Sequence, residues 1–173
     1  MKLNSLTLQQ GAAAGGVIVI LQLIAYLMGA ETLLSPWLGS GRFIVIALAM
    51  VLACLAIRKD EGSLTYKRAV FESWIASSFA SLIGVLFIII LVTLDSQLGV
   101  NLYDATLAQL EGSMGSFSSM MTDEARTTME RQTKWLLEPA GQLVAWAFGL
   151  IMWLLIAAVV GAIMKRPAPD SIR

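Results

Sequence analysis

The side chains in this sequence that are able to do chemistry are few, and they are spread thinly through apolar runs. Histidine is absent, which removes the commonest general base and the commonest transition-metal ligand. Serines are plentiful, but with no Ser-x-x-Lys or Gly-x-Ser-x-Gly pattern none reads as an activated nucleophile. Cys54 is the one cysteine and lies within an apolar run, so it has no disulfide partner in the chain and reads as a small packing residue. Gln22 is the most polar residue in the middle of such a run. Its amide suits a transported solute or a partner subunit, and more simply a hydrogen bond to Ser77 or Ser81 on another helix, worth ~0.6–2 kcal/mol. Proton or ion coupling normally leaves ionisable groups inside the bilayer, whereas Glu31, Arg42, Glu72 and Asp95 all fall at the predicted ends of apolar runs. These absences exclude most enzymatic readings, and the chain is expected to be no enzyme and to carry no cofactor.

The elements that hold these groups are set by composition. Of the 173 residues 57% are apolar and only 14% charged, and the mean hydropathy is +0.75, outside the usual soluble range. The formal charge is zero and the charges sit in blocks, so no basic face for nucleic acid is expected. Four apolar runs, about 11–29, 38–57, 75–94 and 143–164, are long enough to cross a bilayer core of ~30 Å at ~1.5 Å per residue. The first reads as an uncleaved span, because Met28, Gly29 and Ala30 make a poor cleavage site. The predicted architecture is all-α, an integral membrane four-helix bundle in a single domain.

Between the second and third runs lies a dense charge cluster, residues 58–72, holding Arg58, Lys59, Lys67 and Arg68. Clustered Lys and Arg beside short loops mark the cytoplasmic side. With Lys2, Lys165, Arg166 and Arg173 they place eight basic residues on one side against Arg42, Arg126, Arg131 and Lys134 on the other. The expectation is a cytoplasmic hinge at 58–72 and both termini in the cytoplasm, in a bacterial inner membrane.

Residues 95–142 form the one long segment outside the spans, with seven acids against three bases. The acids lack the alternating spacing of an EF-hand loop, so no metal site is expected. Gly112, Ser113, Gly115, Ser116, Ser118 and Ser119 suggest a flexible break. Before it Tyr103, Leu107 and Leu110 recur at helical spacing, and after it Met121, Ala125, Met129, Gln132 and Leu136 do the same. An external amphipathic helical hairpin between spans three and four fits this pattern. Pro139 either starts the fourth span or kinks one long helix.

Small residues recur along the spans. Gly11 and Gly15 continue through Ile18, Gln22, Ala25 and Gly29; Ser73, Ser77, Ser81 and Gly84 share a face of the third span; Gly141, Ala145 and Gly149 repeat every fourth residue in the fourth. Rows of this kind let helix backbones approach closely in lipid. They are the helix-packing candidates, with a homodimer face as the other use.

The order of parts, a glycine-rich first span, the hinge IRKDEGSLTYKRAVFESW, a third span, a long polar loop with a charged helix, a Pro-started fourth span and a basic tail, resembles the family called domain of unknown function 4199. The best local match is the hinge, at Gly62, Leu64, Thr65, Tyr66, Lys67 and Ala69. The resemblance implies a small bacterial four-span membrane protein and carries no activity or site residue.

With polar chemistry concentrated outside the spans, the expected function is that of an accessory or interaction subunit. Its partners would be the lipid bilayer and an envelope protein or a second copy. Met121, Ala125, Met129 and Leu136 form the candidate docking stripe, since adaptable methionines suit a partner groove. The alternative is a small oligomeric transporter or channel.

Overall fold

A computed structural model describes residues 4–115 and 122–166, with Met114 described by its backbone alone. Seven helices follow one another in these residues: α1 (Ser5–Met28), α2 (Ala30–Leu33), α3 (Pro36–Glu61), α4 (Tyr66–Leu94), α5 (Ser96–Met114), α6 (Asp123–Leu137) and α7 (Pro139–Met164). No strand forms among the described residues. α1, α3, α4 and α7 are each long and apolar enough to cross a membrane, which makes the chain a multi-pass membrane protein.

Each helix stops where the sequence gives the backbone a reason to stop. The Asn4 side chain accepts from the Leu6 N–H at 3.0 Å and caps α1. Gly29 ends it at φ 114°, a conformation that suits a residue without a Cβ. Pro36 supplies the first turn of α3, where its missing N–H is no loss. Gly62, in the left-handed region at φ 73°, ends α3 with its N–H on the Arg58 carbonyl at 3.0 Å. Asp95 breaks the chain between α4 and α5, and its carboxylate accepts from the N–H groups of Gln97 and Leu98, both at 3.1 Å. Pro139 stands in the first turn of α7 after an extended Glu138, so it starts a new helix and does not kink a continuous one.

The helices overrun the apolar runs. At ~1.5 Å per residue the 29 residues of α4 reach ~43 Å, beyond a ~30 Å hydrocarbon core. The charged cluster 58–72 is accordingly helical except at 62–65, because Arg, Lys and Glu are good helix formers and continue both helices past the apolar segment. The turn itself is four residues, narrower than the predicted hinge. Leu64 is fully buried in it and forms an isolated antiparallel bridge with Arg166, with N–H to carbonyl bonds of 2.8 Å in both directions.

α4 is the central helix, packing on α1, α3 and α7. α1 lies parallel to it, as the hydrogen bonds Thr7–Glu72 at one end and Tyr26–Asp95 at the other show. α7 runs antiparallel to it, pinned by the Trp74 indole donating to the Leu150 carbonyl at 3.0 Å and the Trp146 indole donating to Ser81 at 3.1 Å. α3 and α7 close the bundle with Phe43 stacked on Trp153, ring centroids 5.8 Å apart. Buried Ala14, Ile18, Ile46, Ala49, Met50, Ala80 and Ala157 form the core. A second cluster of Cys54, Ile57, Leu64 and Ala69 seals the end near the turn.

Candidate functional site

Seams between helices are built by the absence of side chains. A Cβ on Gly11 would stand 2.9 Å from the Ala76 carbonyl oxygen, one on Gly15 2.6 Å from Ile83 Cδ1, and one on Gly84 2.8 Å from Ile18 Cγ2. These glycines therefore lie where α1 and α4 approach most closely. Ser73, Ser77 and Ser81 are buried on the same face of α4.

The fourth-span row lies differently from the sequence expectation. Gly141 is buried, yet a Cβ there would collide with the Trp135 carbonyl, so it serves the corner between α6 and α7. Ala145 is exposed, and Gly149 has open space beside it. α7 meets α4 instead through Ala157 and Gly161, where a Cβ on Gly161 would stand 2.6 Å from Val70 Cγ2. The four-residue spacing Ala157–Gly161 was the signal for this seam, and only the direction of the α7 face separates it from the row at 141–149. Gly29, continuing the α1 row in sequence, lies past the helix end with nothing beside it.

Gln22 is fully buried, and neither end of its amide has a hydrogen-bond partner among the described residues. The expected bond to Ser77 or Ser81 does not form. Both serines turn their hydroxyls back to their own helix, Ser77 to the Trp74 carbonyl at 2.9 Å and Ser81 to that of Ser78 at 3.1 Å. Intrahelical bonding of this kind is the common alternative for serine in an apolar helix. Ser81 spends its acceptor capacity on Trp146 of α7.

Glu72 differs most from its sequence reading at an interface. Its side chain is 1% exposed. The Thr7 hydroxyl donates to one carboxylate oxygen at 2.5 Å, and the other lies 3.8 Å from Arg68 Nε with no hydrogen bond. Arg68 is engaged elsewhere, donating through both terminal nitrogens to Glu61 at 2.5 and 2.6 Å. Next to this group, Cys54 Sγ lies 3.1 Å from Ser73 Oγ and 3.6 Å from the Ala69 carbonyl. The overlong α4 explains the burial, since its second turn, with Glu72 and Ser73, is buried beside Thr7 at the start of α1. Arg42 is half-buried and makes no ion pair among the described residues.

Outside the four long apolar helices, α5 starts at Ser96, capped by Asp95 and well before Tyr103, and buries Leu98 and Leu102 at 3% and 4% exposure. The i, i+4 pair and the capping Asp95 were legible signals that the spacing of Tyr103, Leu107 and Leu110 obscured. Gly112 and Ser113 are helical, and the helix ends at Gly115 with φ 49°. The rest of the expected break, Ser116 to Ser119, lies outside the described residues. Arg126 of α6 bonds Glu111 of α5 at 2.6 Å, and that hydrogen bond, with the charges of Glu111 and Glu130, raises the Arg126 guanidinium above its ordinary range.

α6 turns Thr133 inward, with Met129, Glu130 and Leu137 partly covered. Of the predicted docking stripe, Met121 lies outside the described residues, Ala125 is exposed, Met129 is half-buried and Leu136 is 46% exposed. The stripe therefore stands largely beside, not upon, the face that α6 lays on its neighbours. Met129 belongs to both.

Among the described residues no group of three or more His, Cys, Asp or Glu is placed to hold a metal ion. No curated protein and no solved structure matches the chain significantly. The family described as protein of unknown function (DUF4199) matches residues 9–166, nearly the whole chain, and the chain belongs to that family.

Proposed function

We propose that the chain is a non-enzymatic accessory subunit of a bacterial inner membrane, with both termini cytoplasmic and α5 and α6 outside, and that α6 docks an envelope protein. The observation that carries this reading is the exposure of Ala125 and Leu136 on α6. A stripe that merely closed a lid over the bundle would be buried against it, and this one is left to another occupant. The partner surface it suits is a helix with small apolar residues and basic flanks, because Asp123 and Glu124 begin the same helix.

The test is purification in mild detergent at native expression, with identification of stoichiometric co-purifying proteins. An Ala125→Asp, Leu136→Asp variant, changed only at exposed positions, is expected to lose the partner while its helix content and melting temperature stay within a few degrees of the parent. Loss of stability with the partner retained would make α6 a lid.

A second reading, a small oligomeric transporter or channel, draws support from one observation. Glu72 is a buried carboxylate with an oxygen free of hydrogen bonds among the described residues, and ionisable groups inside a membrane bundle often lie on a solute pathway. Purification as a pure homo-oligomer with solute flux in liposomes would favour it.

A further inference from the structure

Two basic runs about a hundred residues apart in sequence meet at one end of the bundle. Arg58 and Lys59 close α3, and Lys165 and Arg166 follow α7. The reciprocal backbone bonds between Leu64 and Arg166, 2.8 Å each, hold the end of α7 against the turn that follows α3. Beneath the bridge, Ile57, Leu64 and Met164 pack together, so the two runs are fixed relative to each other by buried apolar contact as well.

Most of the basic charge at this end is unpaired among the described residues. Arg58, Lys59, Lys67, Lys165 and Arg166 make no ion pair among the described residues, whereas Arg68 is bound to Glu61. Asp60 is the neighbouring acid without a basic partner among the described residues. Lys59, Lys165 and Arg166 are exposed and Arg58 is half-buried. About one turn towards the middle of the same helices, Leu55 and Ile163 are exposed at 44% and 74%. Basic groups thus stand at the rim of apolar surface, an arrangement that matches an amphiphile with a negative head better than a free anion.

We propose that the joined ends of α3 and α7 form a site for the phosphodiester headgroup of an anionic phospholipid, held by Arg58 and Lys59 from one helix and Lys165 and Arg166 from the other. Arginine forks engage phosphate oxygens bidentately, and lysine adds point charge. The acyl chains lie along the exposed apolar surface below. The bridge organises the site because it is made by backbone atoms and takes up no side-chain atom of the four. The site lies at the ends of the long helices and is independent of the docking role of α6.

The experiment is native mass spectrometry of the full chain in detergent with phosphatidylglycerol, phosphatidylcholine or inorganic phosphate added at equal concentration. Three variants are compared: Arg58→Gln with Lys59→Gln, Lys165→Gln with Arg166→Gln, and all four together. Arg131→Gln with Lys134→Gln on α6 is the control. Phosphatidylglycerol is expected to bind in preference to phosphatidylcholine, and each pair to weaken it on the order of tenfold. The fourfold variant should bind more weakly than either pair variant, and the control should match the parent. Equal binding of the two lipids overturns the proposal. So does an equal loss in the control, or a phosphate adduct that displaces the lipid at equal concentration. Helix content by circular dichroism checks that each variant folds. If one does not, the unmodified protein still decides, since its phosphatidylglycerol adduct must weaken as salt rises while the phosphatidylcholine adduct does not.

Discussion

Gly84 of α4 faces Gln22 of α1 at a close helix crossing: a Cβ on Gly84 would stand 3.7 Å from Gln22 Nε2 and 2.8 Å from Ile18 Cγ2. The glycine makes room for α1, and the room is filled by an isoleucine and an amide without a hydrogen bond among the described residues. Gly84→Ala is therefore expected to destabilise the protein by ~1–3 kcal/mol through overpacking. Gly16 on α1 faces open space, and Gly16→Ala should be neutral or stabilising by up to ~1 kcal/mol, as the gain in helix propensity dictates. Unfolding by sodium dodecyl sulfate in mixed micelles measures both. Equal effects at the two positions would remove the close crossing.

A buried amide without a partner is a cost to the fold. Gln22→Met keeps the length of the side chain and removes the unpaired polar atoms, so the variant should be more stable than the parent by ~1 kcal/mol. A clear loss of stability would mean that the amide is bonded in the membrane. A double-mutant cycle between Gln22 and Ser81 should give a coupling near zero, and the cycle between Trp146→Phe and Ser81→Ala ~0.5–1.5 kcal/mol, the value of one hydrogen bond.

The Thr7 hydroxyl is the one hydrogen-bond donor to the buried Glu72 carboxylate among the described residues. Thr7→Val keeps the shape and removes the donor, at an expected cost of ~1–3 kcal/mol for leaving a buried acceptor unpaired. In a Glu72→Leu background the same change should cost little. Equal costs in the two backgrounds would show that Thr7 acts by packing alone.

On α7 the packing face is set by Gly161 and not by Gly149. Gly161→Leu meets Val70 at once and should cost ~3 kcal/mol or more, while Gly149→Leu enters open space and should change stability little. The same unfolding assay reads both. A reversed order would turn α7 about its axis.

Much of the fold was legible because long uncharged runs leave few alternatives to a spanning helix. The glycine and serine rows of α1 and α4 were equally visible, since a small residue at every fourth position has few uses other than close approach. What stayed hidden depended on which way a uniformly apolar helix faces. α7 is apolar all round, so the rows Gly141–Ala145–Gly149 and Ala157–Gly161 look alike until α4 is placed beside one of them. Gln22 and Ser81 were matched by chemistry alone, without knowing that serine satisfies itself on its own helix and that Trp146 arrives from α7. Glu72 looked interfacial because it ends an apolar run. Its burial follows from α4 continuing to Tyr66 and from Thr7 reaching it, and neither is written in local hydropathy.

The docking role of α6 is tested most directly by a photo-crosslinking residue placed at Ala125 and, separately, at Thr133, in the full chain at native expression in its own membranes. The expected result is a discrete adduct with a different protein from position 125 and none from position 133, which is buried against the chain's own helices. Adducts of the chain only with itself, or no adduct from position 125, would contradict the accessory reading and leave the oligomeric transporter in its place.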